Sequence, residues 1–137
     1  MSDSIVLEPL DHTNWYKVYG LSVSRKQKRF FPIPNVEWID IIVGLIGGGF
    51  DEDGVTGYIN PVMIDRRYQG KGYGRQAMRL MILYLQENLH VTRINIGHRK
   101  TNQAAGHLYE SLGFRIIKDI GNQYYRQLEL PDEREIL

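Results

Sequence analysis

A short stretch of the sequence, QGKGYG at residues 69–74, places glycine at every second position directly before a helical pattern. Ordering a glycine backbone costs more entropy than ordering any other residue, so three glycines at a helix start need a compensating gain. The first N–H groups of a helix lack intrahelical partners, and the helix dipole is positive at that end. Glycines let this backbone approach a bulky anion, and pyrophosphate suits several converging amides. The stretch therefore predicts a phosphate-binding loop.

Two common phosphate-binding motifs fit this loop poorly. A P-loop ends its glycine run with lysine followed by serine or threonine, whereas Gly74 is followed by Arg75 and Gln76. The dinucleotide-binding spacing G-x-G-x-x-A is satisfied, but that motif needs an acidic residue about twenty positions further on. The sequence has no Asp or Glu between Glu87 and Glu110. The P-loop is excluded and the dinucleotide site is disfavoured. Additional positive charge near the loop comes from Arg66, Arg67, Lys71 and Arg75.

Composition limits the remaining classes of function. A chain of 137 residues with 42% hydrophobic residues predicts one globular domain. The net charge of +1 gives no global field that would favour nucleic acid or a membrane as partner. The absence of cysteine excludes disulfides, thiolate metal sites and a cysteine nucleophile. His98 and His107 stand apart from other ligand types, so we expect no metal site.

The N-terminal residues and the longest apolar stretch bear on where in the cell the protein is expected. Residues 1–15 have neither a basic region nor an apolar core of the kind that a signal peptide requires. The longest apolar stretch, residues 39–50, is too short to span a bilayer and contains glycines. We therefore expect a cytoplasmic protein with no membrane partner.

Periodicity predicts alternating strands and helices. Proline at position 61 lies inside a predicted strand, where it favours a bulge or a local end of pairing. Ala77, Leu80, Met81 and Tyr84 recur with Leu85 at helical spacing. The predicted strands are 4–10, 38–50, 55–65, 91–97, 114–120 and 123–130; helices are predicted within 12–30 and over 73–90 and 101–113; breaks or turns are predicted at 32–35, 51–54 and 121–122. Thr101 or Asn102 would cap the last helix and Gly113 would end it. The pattern indicates an α/β fold with a mixed sheet.

Two segments carry a family resemblance. The stretch QGKGYG resembles the Q/R-x-x-G-x-G/A motif of the GNAT acyltransferase superfamily, with Gln69 first and Gly72 and Gly74 as its glycines. Downstream, NQAAGHLYESLGF at 102–114 resembles the pattern N-x-x-A-x-x-L-Y-x-x-x-G-F of the same superfamily. The wording MIDRRYQGKGYG also looks like bacterial diamine or spermidine acetyltransferases. The resemblance covers roughly residues 55 to 130.

This resemblance implies a fold and a division of labour. The GNAT fold, α/β or α+β by some schemes, has a mixed central sheet with a splayed strand pair and flanking helices. It implies a single domain over 1–137, with an acceptor half at about 1–54 and a cofactor half at about 55–130. The family spends more residues than this chain does between positions 20 and 45. The N-terminal half is therefore expected to be abbreviated.

The resemblance also implies acetyl-CoA as co-substrate. Its pyrophosphate would bind the loop, and its pantetheine arm would bond the backbone near Met63 and Ile64. A backbone N–H there would polarise the thioester carbonyl, and Asn102 would supply a polar contact. The implied cofactor-binding residues in the loop are Gln69, Gly70, Lys71, Gly72, Tyr73, Gly74 and Arg75.

Catalytic roles follow from the same resemblance. Tyr109 matches the family's general acid, which protonates the leaving thiolate; the ordinary pKa values are about 10 for tyrosine and about 8.5 for a thiol. A nearby amide and partial burial are expected to narrow that gap. Polyamine-type relatives carry an acidic residue near the position of Asn60, which cannot accept a proton. Glu52, or its neighbours Asp51 and Asp53, is expected to recruit the amine and pass its proton through water.

These roles predict acetyl transfer to a primary amine of a small molecule by direct attack in a ternary complex, with polyamines among the candidate acceptors. The alternative is a non-catalytic acyl-CoA-binding module of the same fold, and a nucleotide-dependent oxidoreductase is a third hypothesis. Because GNAT-like domains often pair, a homodimer is also expected. The cations at 98–100 are interpreted as phosphate contacts or solvated charges.

Overall fold

A computed structural model describes residues 5–7 and 44–131 of the chain. Five strands form one sheet in the order β1-β2-β3-β5-β4, and two α-helices accompany it. The elements are β1 (Gly44–Phe50), β2 (Thr56–Ile64), a 3-10 turn (Arg66–Tyr68), α1 (Tyr73–Leu89), β3 (Arg93–Arg99), α2 (Gln103–Ser111), β4 (Arg115–Ile120) and β5 (Gln123–Glu129). The mixed sheet predicted from sequence is confirmed, and each strand and α-helix from β2 to β5 lies within two residues of its predicted bounds, whereas the 3-10 turn was not predicted.

Several predictions for the N-terminal part fall outside the described residues. The strand predicted at 38–50 is confirmed over Gly44–Phe50, where the description begins. Residues 5–7 carry no regular secondary structure, so the predicted strand 4–10 is not found in its described part. The helices of 12–30, the break at 32–35 and the abbreviation near 20–45 lie mostly or wholly within positions 8–43, outside the described residues.

Strand directions in the sheet follow from its connections. β2 and β3 are parallel, and their ladder joins Thr56–Tyr58 to Arg93–Asn95. Parallel neighbours need a long crossover, which α1 provides. The ladder ends three residues before Pro61, in agreement with a strand whose pairing stops locally; a bulge at Pro61 itself stays a prediction. β5 pairs antiparallel with β3 on one side and with β4 on the other.

The closing hairpin confirms the turn predicted from Gly-Asn. Ile120 pairs with Gln123, and Gly121 between them has φ +58°, a left-handed conformation that such two-residue turns favour. A register shift between Ile116 and Lys118 leaves Ile117 as an extra residue in β4. β4 is the last strand of the sheet order, and all six of its residues are exposed.

The described residues fall into two compact units, one made of 5–7, 44–46 and 61–80 and the other of 47–60 and 81–131. Each unit has its own buried side chains. In the first unit these are Met63, Asp65, Tyr73, Ala77 and Met78; in the second the apolar ones are Ile59, Met81, Leu85, Val91, Ile94, Ile96, Tyr109 and Phe114. A division of the whole chain near residue 54 stays a prediction.

Helix α1 confirms the amphipathic pattern with one correction. Its buried positions are Tyr73, Ala77, Met78, Met81 and Leu85, whereas Tyr84, predicted to belong to this face, is 49% exposed. The sequence pattern started at Ala77 and omitted its neighbour Met78, which is fully buried and lies three residues before Met81.

Candidate functional site

In the first unit, a buried carboxylate shapes the chain between β2 and α1. Asp65 is 0% exposed, and its Oδ1 accepts the backbone N–H of Arg67 at 2.9 Å. The guanidinium of Arg67 also donates from Nε to Oδ1 and from Nη2 to Oδ2, both at 3.1 Å. This bidentate pairing raises the pKa of Arg67. The carboxylate thus closes the 3-10 turn and fixes where the following loop begins.

Gln69 has an internal role in the same segment. Its side-chain Nε2 donates to the carbonyl oxygen of Ile64 at 2.9 Å, although the sequence prediction directed this side chain to a cofactor. The bond holds the loop to the end of β2 and uses one acceptor position of Ile64. Met63, the other predicted strand contact, has a buried side chain. The backbone roles of Met63 and Ile64 toward a ligand stay predictions.

The glycines of the loop adopt the conformations that glycine alone tolerates well. Gly70 has φ +79° and Gly72 has φ +83°. A Cβ added to either residue would meet nothing within 4 Å. Backbone conformation, and not crowding by the protein, therefore explains glycine at these two positions. The same open space lets a large group approach the main chain.

Helix α1 begins where the loop ends. The amide of Gln76 donates to the carbonyl of Gly72 at 3.1 Å, and the amides before it belong to the first turn, which lacks intrahelical acceptors. Lys71 is exposed and Arg75 is half-buried beside this turn. A loop with left-handed glycines, a helix N-terminus and two cations can bind a phosphate-type anion through main-chain N–H groups.

In the second unit, α2 carries two residues predicted to be functional. Asn102 is its N-cap, and the Asn102 side chain accepts the N–H of Ala105 at 3.2 Å. Gly113 follows the helix with φ +100° and ends it. Both helix boundaries are confirmed, and Asn102 has a structural role that accounts for its residue type without a ligand.

The ring of Tyr109 is 6% exposed. It packs against His98, with ring centroids 5.7 Å apart, and against Phe114 at 6.1 Å. Burial raises the pKa of Tyr109, because the phenolate would lose its hydration. The expectation that partial burial narrows the gap to a thiol was therefore wrong in sign. The phenol remains protonated at neutral pH and is a hydrogen-bond donor.

A buried cluster beside Tyr109 was missed by sequence reasoning. Arg126 is 8% exposed and donates from Nε to Nε2 of His98 at 3.0 Å. Because arginine only donates, Nε2 is an acceptor, and the ring carries its hydrogen on Nδ1, which lies 2.9 Å from the carbonyl oxygen of Arg99. His98 is thus neutral and buried, which corrects its interpretation as a solvated or phosphate-binding residue. Alternation along β5 could have signalled Arg126, since it shares a face with Tyr124 and Leu128.

The acidic residues of the turn at 51–54 have different surroundings. Asp53 accepts the backbone N–H of Val55 at 2.9 Å and of Thr56 at 2.8 Å, and its Oδ2 accepts Nη2 of Arg93 at 3.2 Å. Hydrogen bonds, that from the Thr56 hydroxyl first, hold the pKa of Asp53 well below its usual range. Asp53 is consequently a turn-forming group and a poor base. Glu52 is exposed in the turn.

Within residues 5–7 and 44–131, no group of three potential ligands is arranged to hold a metal ion. None of the described helices is long and apolar enough to cross a membrane.

Similarity to a known family tests the resemblance that the two motifs suggested. The profile of the Acetyltransferase (GNAT) family matches residues 5–114. The chain belongs to the GNAT acetyltransferase family. This membership confirms the resemblance drawn from the two motifs and removes the dinucleotide interpretation of Gly72, Gly74 and Ala77.

Among curated relatives, the spermine/spermidine N(1)-acetyltransferase of Bacillus subtilis is 35% identical over 68 residues, which are 48% of this chain and 45% of that protein. The mycothiol acetyltransferase of Propionibacterium freudenreichii is 28% identical over 132 residues, which are 89% of this chain and 39% of that protein. The chain thus spans less than half the length of either relative.

Solved structures agree with the GNAT fold. An acetyltransferase (GNAT family) from Bacillus anthracis superposes with a TM-score of 0.67 at 16% identity, covering 87% of this chain and 90% of that one. The N-acetyltransferase PseH of Campylobacter jejuni, in complex with acetyl coenzyme A, gives a TM-score of 0.60 at 22% identity, covering 69% and 64%. These similarities confirm the predicted GNAT fold with its mixed sheet; a splayed strand pair stays a prediction.

Proposed function

We propose that the protein transfers an acetyl group from acetyl-CoA to a primary amine of a small molecule. The observation that carries the proposal is the loop of Gly70–Arg75, in which two left-handed glycines lead into the N-terminus of α1. Within the GNAT family, this geometry fits the diphosphate of coenzyme A, whose charge needs several converging N–H donors.

The loop residues divide the work of binding between main chain and side chains. Gly70 and Gly72 present open backbone to the diphosphate, and the first turn of α1 adds N–H groups with a favourable dipole. Lys71 and Arg75 supply charge, while Gln69 and the Asp65–Arg67 pair hold the loop in place. The end of β2, at Met63 and Ile64, would bind the pantetheine arm through its backbone, and an amide there would polarise the thioester carbonyl.

Tyr109 is the proposed general acid. Its buried phenol stays protonated at neutral pH, because burial raises its pKa. A phenol of raised pKa is a weaker acid than an exposed one, so it would donate its proton as the carbon–sulfur bond breaks and negative charge collects on the sulfur. Acetyl-CoA supplies the activated acyl group, and the amine attacks it directly.

The proposed base is Glu52, acting through water. Asp53 is committed to the turn by its hydrogen bonds, and its lowered pKa makes it a poor proton acceptor. Polyamine-type enzymes of the family carry an acidic residue near the position of Asn60. The amide side chain of Asn60 cannot accept the proton. Glu52 is exposed in the turn and carries the charge that attracts a cationic amine.

A polyamine is the first acceptor to test, because the Bacillus subtilis relative bears the name of a spermine/spermidine acetyltransferase. The purified chain would be given acetyl-CoA and a panel of amines: spermidine, spermine, an amino acid, an aminoglycoside and a peptide with a free N-terminus. Release of free thiol, together with the mass of the acetylated amine, would be measured over time. Thiol release that depends on one amine class supports the proposal.

Calorimetric titration with acetyl-CoA, carried out beside the thiol assay, separates catalysis from simple binding. Saturable heat of acetyl-CoA binding, with no amine-dependent release of thiol, would mean a non-catalytic acyl-CoA-binding module. Absence of heat at millimolar acetyl-CoA would reject the cofactor assignment itself.

A further inference from the structure

The guanidinium of Arg126 lies in a setting that its own protein contacts do not neutralise. The residue is 8% exposed, and its acceptors are Nε2 of His98 and, for Nη1, the carbonyl oxygen of Phe114 at 3.4 Å. Both acceptors are uncharged. Within the described part of the chain, no carboxylate lies within the 4.0 Å of an ion pair with Arg126. Buried charges are ordinarily paired, so this cation lacks the partner expected of it.

The hydrogen atoms of the guanidinium show where that partner would bind. Arginine has five N–H donors, of which the contacts above use two. No acceptor for Nη2 is found among the described residues, and none of their buried side-chain nitrogens lacks a partner. Nη2 is therefore open to solvent. Arg126 is also one of the residues that line a cleft of about 460 Å³, together with Glu110, Gly113, Phe114, Arg115 and Ile116.

The walls of the cleft combine charge with apolar surface. Two arginines oppose one carboxylate, that of Glu110, and no ion pair joins Glu110 to either of them within the described chain. Ile116 is 47% exposed at the wall. The volume lies within the range of sites for small organic ligands.

Helix α2 also limits the movement of the Arg126 guanidinium. A Cβ added to Gly106 of α2 would lie 3.1 Å from Cε1 of His98 and 3.6 Å from Nη2 of Arg126. Glycine at this position lets α2 lie directly on the two side chains. With His98 bound at Nε, the guanidinium plane has little freedom, which favours a two-pronged hydrogen-bond geometry.

We propose that this cleft binds a small organic oxyanion, through a carboxylate or phosphate group on Arg126 and Arg115 and an apolar part against Ile116. The site uses none of the residues that the proposed function requires, and it stands or falls independently of that function.

The test uses benzoate and phenyl phosphate as probes, with benzyl alcohol as the uncharged control and chloride to keep ionic strength constant. The ¹H–¹⁵N signal of the Arg126 side-chain Nε–H would be followed by NMR in the full chain, without acetyl-CoA. We expect a saturable shift with at least one anion and none with benzyl alcohol. The acid that binds more tightly identifies the preferred head group.

Three variants locate the binding. Arg115→Gln should weaken the anion by threefold or more, and Glu110→Gln should tighten it, as charge at the wall changes in opposite directions. Lys118→Gln, on the same strand but outside the cleft, removes the same charge as Arg115→Gln and should leave affinity unchanged. Equal weakening by Arg115→Gln and Lys118→Gln would mean an adventitious ion only. That result, or absence of a saturable Arg126 shift, would overturn the proposal.

Discussion

The loop at residues 69–75 and the cluster around Arg126 both gather hydrogen-bond donors, but with different parts of the chain. In the loop the donors are main-chain amides, and the informative residues are glycines whose φ values of +79° and +83° give the backbone its path. In the cluster the donors belong to the buried side chain of Arg126, held by His98. One region works by backbone conformation within a few consecutive residues, and the other by side chains from β3 and β5, with Tyr109 of α2 packed against them.

Because of this difference, the loop and the cluster should be sensitive to different kinds of substitution. A loop built from backbone should tolerate loss of a side chain but not the addition of one where φ is positive. A cluster built from side chains should lose its chemistry when one polar atom is removed. The four experiments below test this contrast.

The largest effect is expected from removing the hydroxyl of Tyr109. Tyr109→Phe keeps the ring that packs on His98 and Phe114 and deletes the proton of the proposed acid. General acid catalysis contributes roughly 100-fold or more, so kcat should fall by about that factor. The KM for acetyl-CoA should change less than about twofold, because the lost proton acts in the transition state and the contacts that bind the cofactor in the ground state are kept. Steady-state thiol release would measure both constants.

Tyr125→Phe is the matched control, since Tyr125 is 40% exposed on β5 and has no assigned role. An unchanged kcat in Tyr109→Phe would remove this hydroxyl from the mechanism and leave Tyr109 as a packing residue.

The next largest effect is expected in the loop. Gly72→Ala adds a methyl group that meets no neighbour but must adopt φ +83°. A non-glycine residue in this region costs roughly 1–2 kcal/mol, which would weaken acetyl-CoA binding by about tenfold if the loop relaxes away from its binding conformation. Calorimetric titration with acetyl-CoA would measure the loss, and kcat at saturation should change little.

Gly121→Ala provides the corresponding control in the other unit. Gly121 also has a positive φ, +58°, and open space for a methyl group. The variant should lose stability from the same strain and keep its affinity for acetyl-CoA. Equal affinity losses in Gly72→Ala and Gly121→Ala would show that general destabilisation, and not loop geometry, controls binding.

The contrast also explains what the sequence could predict. Left-handed glycines and helix caps depend on a few adjacent residues, so Gly72, Asn102 and Gly113 could be interpreted from local chemistry alone. The pairing of Arg126 with His98 joins residues 28 positions apart and depends on the register of β3 against β5. Strand alternation indicates that Arg126 faces inward, but periodicity does not identify its partner.

Two structural side-chain roles beside the loop could not be predicted, for a related reason. The motif made Gln69 a candidate cofactor contact, which stays a prediction; the structure adds a hydrogen bond from its side-chain amide to the carbonyl of Ile64. The carboxylate of Asp65 organises the segment by accepting the backbone N–H two residues further on. Because aspartate is common at such turn positions, its presence in the sequence does not single out this residue.

A smaller effect is expected from weakening that turn. Asp65→Asn keeps the shape of the side chain but removes the charge that Arg67 contacts through Nε and Nη2. Weakening a charge-assisted hydrogen bond by roughly 1 kcal/mol should raise the KM for acetyl-CoA about fivefold, with kcat unchanged.

Asp53→Asn is the paired variant, because Asp53 also organises a turn, through Val55 and Thr56. It should lower the thermal unfolding midpoint and leave the KM for acetyl-CoA unchanged. A KM that rises equally in Asp53→Asn and Asp65→Asn would contradict a specific role of Asp65 in positioning the loop.

The smallest effect concerns alkaline pH and the burial of Tyr109. Because the folded-state pKa is raised above the unfolded value of about 10, the contribution of the protonated phenol to stability is complete below pH 10. It is lost as pH rises from 10 through the folded-state pKa, since the unfolded chain then releases the proton more readily. Urea unfolding at pH 8 to 11 would measure the free energy of unfolding of wild type and Tyr109→Phe. The variant, having no proton to lose there, should show a shallower decline than wild type, whereas Tyr125→Phe should follow wild type. If the free energy of unfolding depended on pH in the same way for wild type and Tyr109→Phe, the phenol would lose its proton as easily in the folded protein as in the unfolded chain. That result would contradict a raised pKa of the buried Tyr109.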